Sequence, residues 1–139
     1  MNMMKHYSLK FQNIKKLINN DNPVIVEIGA HYGEDTLRFL ETFPDAQIFS
    51  FEPDRRNIKI FKKLVNQANV ELIEKAVSNV NGQAKFYPSY VNSIIDNVPS
   101  KYDFISKDEY TSLGLNGSGA SSLKKGFPKC LTENYYVTV

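Results

Sequence analysis

The chain has 139 residues, room for one domain at the usual ~100–150 residues and too few for two. With 42% apolar residues, nine Phe and eight Tyr, it can bury a core, which excludes global disorder. A net charge of +2 with no dense basic run excludes a nucleic-acid surface, and a single cysteine, Cys130, excludes an internal disulfide.

The basic pairs Lys15-Lys16, Arg55-Arg56, Lys62-Lys63 and Lys124-Lys125 mostly fall inside helical patterns and read as solvated helix faces. His6 and His31 are the only histidines, neither at ligand spacing from Cys130, so no metal site is expected. Met1 to Lys16 interrupts every apolar run with lysines and amides. Neither a signal peptide nor a membrane span is expected, and a cytoplasmic location is the default.

In chain order, Leu9, Ile14, Leu17 and Ile18 predict an amphipathic helix over Ser8 to Asn20, stopped by Asn19 to Pro23. Val24 to Ile28 is a short β-branched run between breakers, which predicts a central strand buried on both faces. Gly29 to Gly33 is a turn, and Leu37, Leu40 and Phe43 mark a helix ending near Pro44. Gln47 to Phe51 is the second strand. Asp54 then suits the N-cap of a helix whose apolar stripe is Ile58, Phe61, Leu64 and Val65.

A third strand is expected near Val70 to Glu74, continuing towards Val77. Asn79 to Gly82 is a turn, with Gln83 to Tyr87 as a hairpin strand after it. Pro88 to Lys129 reads as long loops, and Tyr135 to Val139 as a last strand. Strands alternating with helices give an α/β chain with a doubly wound, mainly parallel, Rossmann-like sheet. Residues 1–139 form one domain: an N-terminal helix over 1–21, a cofactor-binding βαβαβ core over 22–87, and loops with a terminal strand over 88–139.

The turn Glu27-Ile28-Gly29-Ala30-His31-Tyr32-Gly33 sets two glycines four apart between strand and helix, with an acid before them. Glycine there lets the backbone approach a ligand. Glu52 ends the second strand, and in such a sheet the two strand ends are neighbours. A carboxylate at that point can accept both hydroxyls of a ribose. Glu34 and Asp35 occupy the first turn of the helix, where a phosphate would otherwise be welcomed by the dipole. Neither the third glycine of a dinucleotide fingerprint nor a phosphate-loop lysine is present. The pattern suits S-adenosylmethionine, whose ammonium can pair with Glu27 and whose sulfonium suits an acidic surround.

Val26 to Gly33, Phe51 to Asp54, Glu74 to Ser78 with Gly82 and Phe86-Tyr87, and Gly119 to Leu123 together resemble the FkbM family of methyltransferases. The resemblance spans about Asn22 to Leu123. It implies a class I fold, S-adenosylmethionine as cofactor, and methylation of oxygen on a sugar or small-metabolite acceptor. Glu27, Gly29 and Gly33 would hold the methionine half, with Ala30 and His31 in the same turn, and Glu52 would hold the ribose. Lys75 and Ala76 would line the adenine edge, and Ser121 and Ser122 would border the substrate. An exposed lysine and a polar loop are the alternatives at Lys75 and at the two serines.

Family members commonly carry Asp at the position of Glu27 and Asn at that of His31. A histidine beside a methyl donor could serve as a general base, or merely replace a polar contact. The family's Asp-x-Glu-Gly motif and fourth strand have no counterpart after Leu123. A shortened form that binds cofactor with little turnover is therefore expected. The apolar edge of the first strand would be covered by Tyr135 to Val139, by another copy, or by a partner chain. A non-catalytic remnant or subunit acting through protein contacts is the alternative, and a dinucleotide-binding domain the third.

Overall fold

Three short strands pair in parallel in the order β1-β2-β3: β1 is Val24–Ile28, β2 Gln47–Phe51 and β3 Val70–Ile73. This computed structural model describes residues 11, 13–90, 97–124 and 134–139; Cys130 and His6 lie outside them. Helical residues 13–18 (α1) precede β1, Glu34–Thr42 (α2) joins β1 to β2, and Arg55–Leu64 (α3) joins β2 to β3. Asp54 caps α3, its side chain accepting from the Arg56 N–H, as its position before the apolar stripe predicts.

Register decides which side chains share a face. Ile25, Ile48 and Val70 are in line, as are Ser50 and Leu72. On that side α2 contributes Phe39, with Phe43 just past its end, α1 contributes Ile14, and α3 contributes Phe61 with Val65 close by. Both crossovers advance in the same direction along the sheet, so right-handed connections lay both helices on one face.

The other face carries Val24, Val26 and Ile28 beside Phe49 and Phe51. Among the described residues nothing covers it at β1, where those three side chains are 70%, 59% and 65% exposed. The expectation of a central strand buried on both faces is thus corrected. β1 is an edge strand of the described sheet, and among the described residues both crossover helices lie on one face of it, an α/β arrangement compatible with a Rossmann-like fold.

The later chain departs further from expectation. β3 ends at Ile73 and does not run on to Val77. Gln83–Phe86 (β4) forms no local hairpin; it pairs antiparallel with Tyr135–Thr138 (β5), Phe86 opposite Tyr135. The terminal strand therefore does not cover β1. Ala76, Phe86 and Val137 form the core beneath this ribbon, so apolar packing outweighs the nearby Asn-Gly turn signal.

The predicted loop contains regular structure. Lys107–Ser112 forms a short helix (α4) capped by the Ser106 hydroxyl, which accepts from the Glu109 N–H at 3.2 Å. Single 3₁₀ turns occur at Ser100–Tyr102 and Ser118–Ala120. Tyr110 of α4 joins Tyr32, Ile60, Ile105 and Leu115 in a buried cluster that fastens this region to the glycine turn.

Gly33 sits at φ 92°, and a Cβ there would lie 2.6 Å from Val65 Cγ2. Gly29, at φ 81°, has nothing within 4 Å of that position. Gly33→Ala is expected to cost about 2–4 kcal/mol, left-handed strain plus overpacking. Gly29→Ala should cost only the strain, about 1–2 kcal/mol. Urea titration followed by circular dichroism measures both, and equal losses would remove the role given to the Val65 contact.

Candidate functional site

The carboxyl ends of β1, β2 and β3 meet at a cavity of about 610 Å³, in the size range of small-ligand pockets. Ile28 and Gly29 enter it from β1, Phe51 and Glu52 from β2, and Lys75 and Ala76 from the end of β3. Ser118, Ser121 and Ser122 close it from the distal segment, and Tyr32, Tyr102 and Tyr110 supply aromatic wall. This is where an open parallel sheet places its ligands.

Glu52 joins the first two strand ends. Its side chain is buried; Oε2 accepts the His31 N–H at 2.8 Å, and Oε1 accepts the Asp54 N–H at 2.8 Å and Asn57 Nδ2 at 3.3 Å. Desolvation pushes its carboxyl above the ordinary value against these donors. The Phe51 carbonyl accepts from both Gly29 and Ala30, fixing the turn. His31 takes a left-handed φ of 54° with its N–H on Glu52.

Glu27 stands off the cavity wall. Its Oε2 accepts from Thr36 Oγ1 and from Ser50 Oγ at 2.9 Å, and burial raises its pKa. Strand alternation turns it towards the helix-covered face while Ile28 faces the opposite way. Ala30 and Gly33 are likewise off the wall. Ala30 is buried against Phe61 and Val65, and Gly33 starts α2. Of the expected residues, Gly29, His31, Glu52, Lys75, Ala76, Ser121 and Ser122 line the cavity. Lys75 is exposed there.

The two serines are largely engaged within the chain. Ser122 exchanges backbone hydrogen bonds with Tyr87, and its hydroxyl accepts from the Lys124 N–H. The Ser121 hydroxyl accepts from the Ser89 N–H at 2.9 Å and lies 3.0 Å from Asp54 Oδ2. Asp54, fully buried, receives Arg56 through Nε at 3.0 Å and Nη2 at 2.6 Å. The same guanidinium donates to the carbonyls of Gly114 at 2.6 Å and Ser89 at 2.9 Å. Arg56 is not a solvated helix charge, then. It ties the backbone at Ser89 and at Gly114 to the start of α3.

Sequence reasoning also missed Asn57, Tyr32 and Ser118. Asn57 is 2% exposed, lines the cavity and leaves Oδ1 without a partner. Its amide must turn Nδ2 to the Glu52 carboxylate, so the orphan is the acceptor. No local pattern announces it; an asparagine inside a helix reads as polar surface. At the start of α2, Glu34 Oε2 accepts the Tyr32 N–H at 3.1 Å. Burial works to raise the Glu34 pKa, but hydrogen bonds from His31 and the backbone hold it below the ordinary value. A carboxylate thus takes a position where a dinucleotide fold offers amides to phosphate.

Among the described residues there is no group of three His, Cys, Asp or Glu side chains able to hold a metal, and no helix is long and apolar enough to cross a membrane.

No family model matches the chain, and no solved structure matches it. Over 77 residues, 55% of its length, it is 39% identical to the 2-O-methyltransferase NoeI of Sinorhizobium fredii (strain NBRC 101917 / NGR234). That match spans 32% of the relative's own length.

Two outcomes test the site's electrostatics. Arg56→Ala should cost about 3–5 kcal/mol by leaving the Asp54 charge buried and alone. The double variant Asp54→Ala/Arg56→Ala should cost less than the two single losses together; additivity would mean the pair is not coupled. Glu34, held below its ordinary value, contributes fully above the ordinary carboxylate range and loses that contribution as pH falls through its folded value. Unfolding free energies of wild type and Glu34→Gln should therefore run parallel above about pH 5 and converge on acidification. A gap that widens in acid would contradict an ionised Glu34.

Proposed function

We propose that this chain carries the cofactor site of an S-adenosylmethionine-dependent methyltransferase of FkbM type, acting on oxygen of a sugar or small metabolite. The observation that carries the reading is Glu34. Its ionised carboxylate occupies the start of α2 and takes the Tyr32 amide, which leaves the turn suited to a cation rather than a phosphate. The likeness to a 2-O-methyltransferase supports the same class of reaction.

The residues present fit the cofactor. Gly29 leaves open space beside the turn, and Asn57 holds an unpaired acceptor beside Glu52. Glu52 and Asn57 would take the ribose, and Lys75 and Ala76 the adenine edge, while Glu27, turned to Thr36 and Ser50, stays off the cavity wall. Tyrosine rings in the wall favour a sulfonium as neighbour. When bound, the cofactor would supply an electrophilic methyl group; the chain's part is to hold an acceptor in line with it.

A second reading has its own support. The bare Val24, Val26 and Ile28 face lies on an edge strand, which suits a partner chain or a second copy completing the sheet.

Calorimetry with S-adenosylhomocysteine should show binding, weakened about 10–100-fold in Glu52→Ala, the loss of hydrogen bonds to a charged group. No binding by folded protein at millimolar ligand would sink the cofactor reading, and NADH binding in its place would revive the dinucleotide alternative. Sedimentation should show association that Val26→Lys abolishes while stability stays within about 0.5 kcal/mol, since the position is exposed. A wild type that is monomeric at all concentrations would remove the second copy as the occupant of that face.

A further inference from the structure

One chain of hydrogen bonds runs from the start of α2 to the cavity. His31 Nδ1 lies 3.2 and 3.3 Å from the two Glu34 oxygens, His31 Nε2 lies 3.1 Å from Ser118 Oγ, and Tyr32 OH lies 3.0 Å from the same oxygen. The direction of each bond follows from the carboxylate. An ionised Glu34 only accepts, so Nδ1 of the neutral ring carries the proton and Nε2 is the acceptor. Ser118 must then donate to Nε2. Its single proton is used, so Tyr32 donates to Ser118. Burial raises the Tyr32 phenol far above its ordinary value, keeping it a neutral donor. One lone pair of Ser118 Oγ remains, on a residue that lines the cavity and is shielded from bulk water.

We propose that Ser118, His31 and Glu34 form a proton relay for an acceptor hydroxyl in the cavity, with Ser118 as its contact, His31 as proton acceptor and Glu34 as positioning residue. The assignment rests on the methyl-transfer reading above. The acceptor O–H gives its proton to Ser118 Oγ as the Ser118 proton passes to His31 Nε2. The electron pair left on the acceptor oxygen forms the bond to the methyl group, the sulfonium becomes a neutral thioether, and the imidazole ends protonated beside Glu34. Charge and atoms balance without a further reagent. His31 is held for this task at a left-handed φ, anchored by Glu52, which is the kind of backbone strain that functional sites retain.

The same three groups could be read as a Ser-His-Glu nucleophile system. The geometry disfavours that. The Ser118 N–H, which such a site would turn to an oxyanion, is bonded to the Leu115 carbonyl at 3.0 Å.

Long-range proton–nitrogen NMR on protein labelled with ¹⁵N-histidine should show His31 as the Nδ1–H tautomer. Glu34→Gln, whose carboxamide can donate to Nδ1, should shift it towards Nε2–H. A wild-type Nε2–H tautomer overturns the relay. Methyl transfer from S-adenosylmethionine to methyl glucoside and to water should fall about 10²-fold in kcat for Ser118→Ala and His31→Asn. S-adenosylhomocysteine affinity should stay within about twofold. Asparagine tolerates the left-handed φ, and Ser118→Thr, keeping the hydroxyl, should restore the rate. Unchanged rates, a cofactor-binding wild type that transfers to neither probe, or covalent capture of Ser118 by a fluorophosphonate each overturn it. Failure of S-adenosylhomocysteine to bind protein with the Nδ1–H tautomer overturns the methyl-transfer reading instead, so the two failures are told apart.

Discussion

A single buried carboxylate sets the geometry of the whole cavity. Glu52 ends one strand, and its two oxygens gather the backbone of the turn after the neighbouring strand, the entry to α3 and the first turn of that helix. Burying such a charge is costly unless hydrogen bonds replace its water. Three donors do so in part, and the raised pKa records what is left over. Because one of those donors is the His31 amide, the strained conformation of the turn and the acid are parts of one arrangement.

A second buried charge organises the opposite wall. The Asp54–Arg56 pair has its hydrogen-bonding capacity met by Gly114, Ser89 and Ser121, which lie 33 to 67 residues further along the chain. An apolar contact could hold those segments near α3 but would not fix their orientation, whereas a planar guanidinium does. Ser118 sits three residues before Ser121, whose hydroxyl donates to the Ser118 carbonyl, and it reaches His31 from that wall.

What could be read from the sequence divides along the range of the interactions. Gln47 to Phe51, the α2 pattern and the Asp54 cap are local, and each falls where its residues predict. Val24 to Ile28 was legible as a strand. Whether both its faces are covered depends on residues elsewhere, so its exposure was not. The partner of Gln83 to Phe86 lies some fifty residues on, beyond any local signal. One miss was avoidable: Ser106 with Glu109 three residues later is a helix-capping pattern inside the supposed loop. Arg56 was not avoidable, since an arginine in a charged pair looks the same on a surface as in a buried network. The glycine turn and Glu52 were identified together, and the structure brings them together. Glu27 shares the turn's neighbourhood without facing the cavity.

The pairing of β4 with β5 has a consequence for how the molecule assembles. β1 meets β2 and β2 meets β3, each the next strand along the chain, so these contacts close short loops and can form as the chain emerges. Gln83 and Thr138 close a loop of 55 residues, and each doubling of loop length adds only about 0.6 kcal/mol of entropy. The price is in time rather than stability, because that closure awaits the last residues of β5. Ala76 and Leu123, both on the cavity wall, pack against that late ribbon. The βαβ half can thus be in place while the pocket is still open on one side, and ligand arriving then would meet a half-built site.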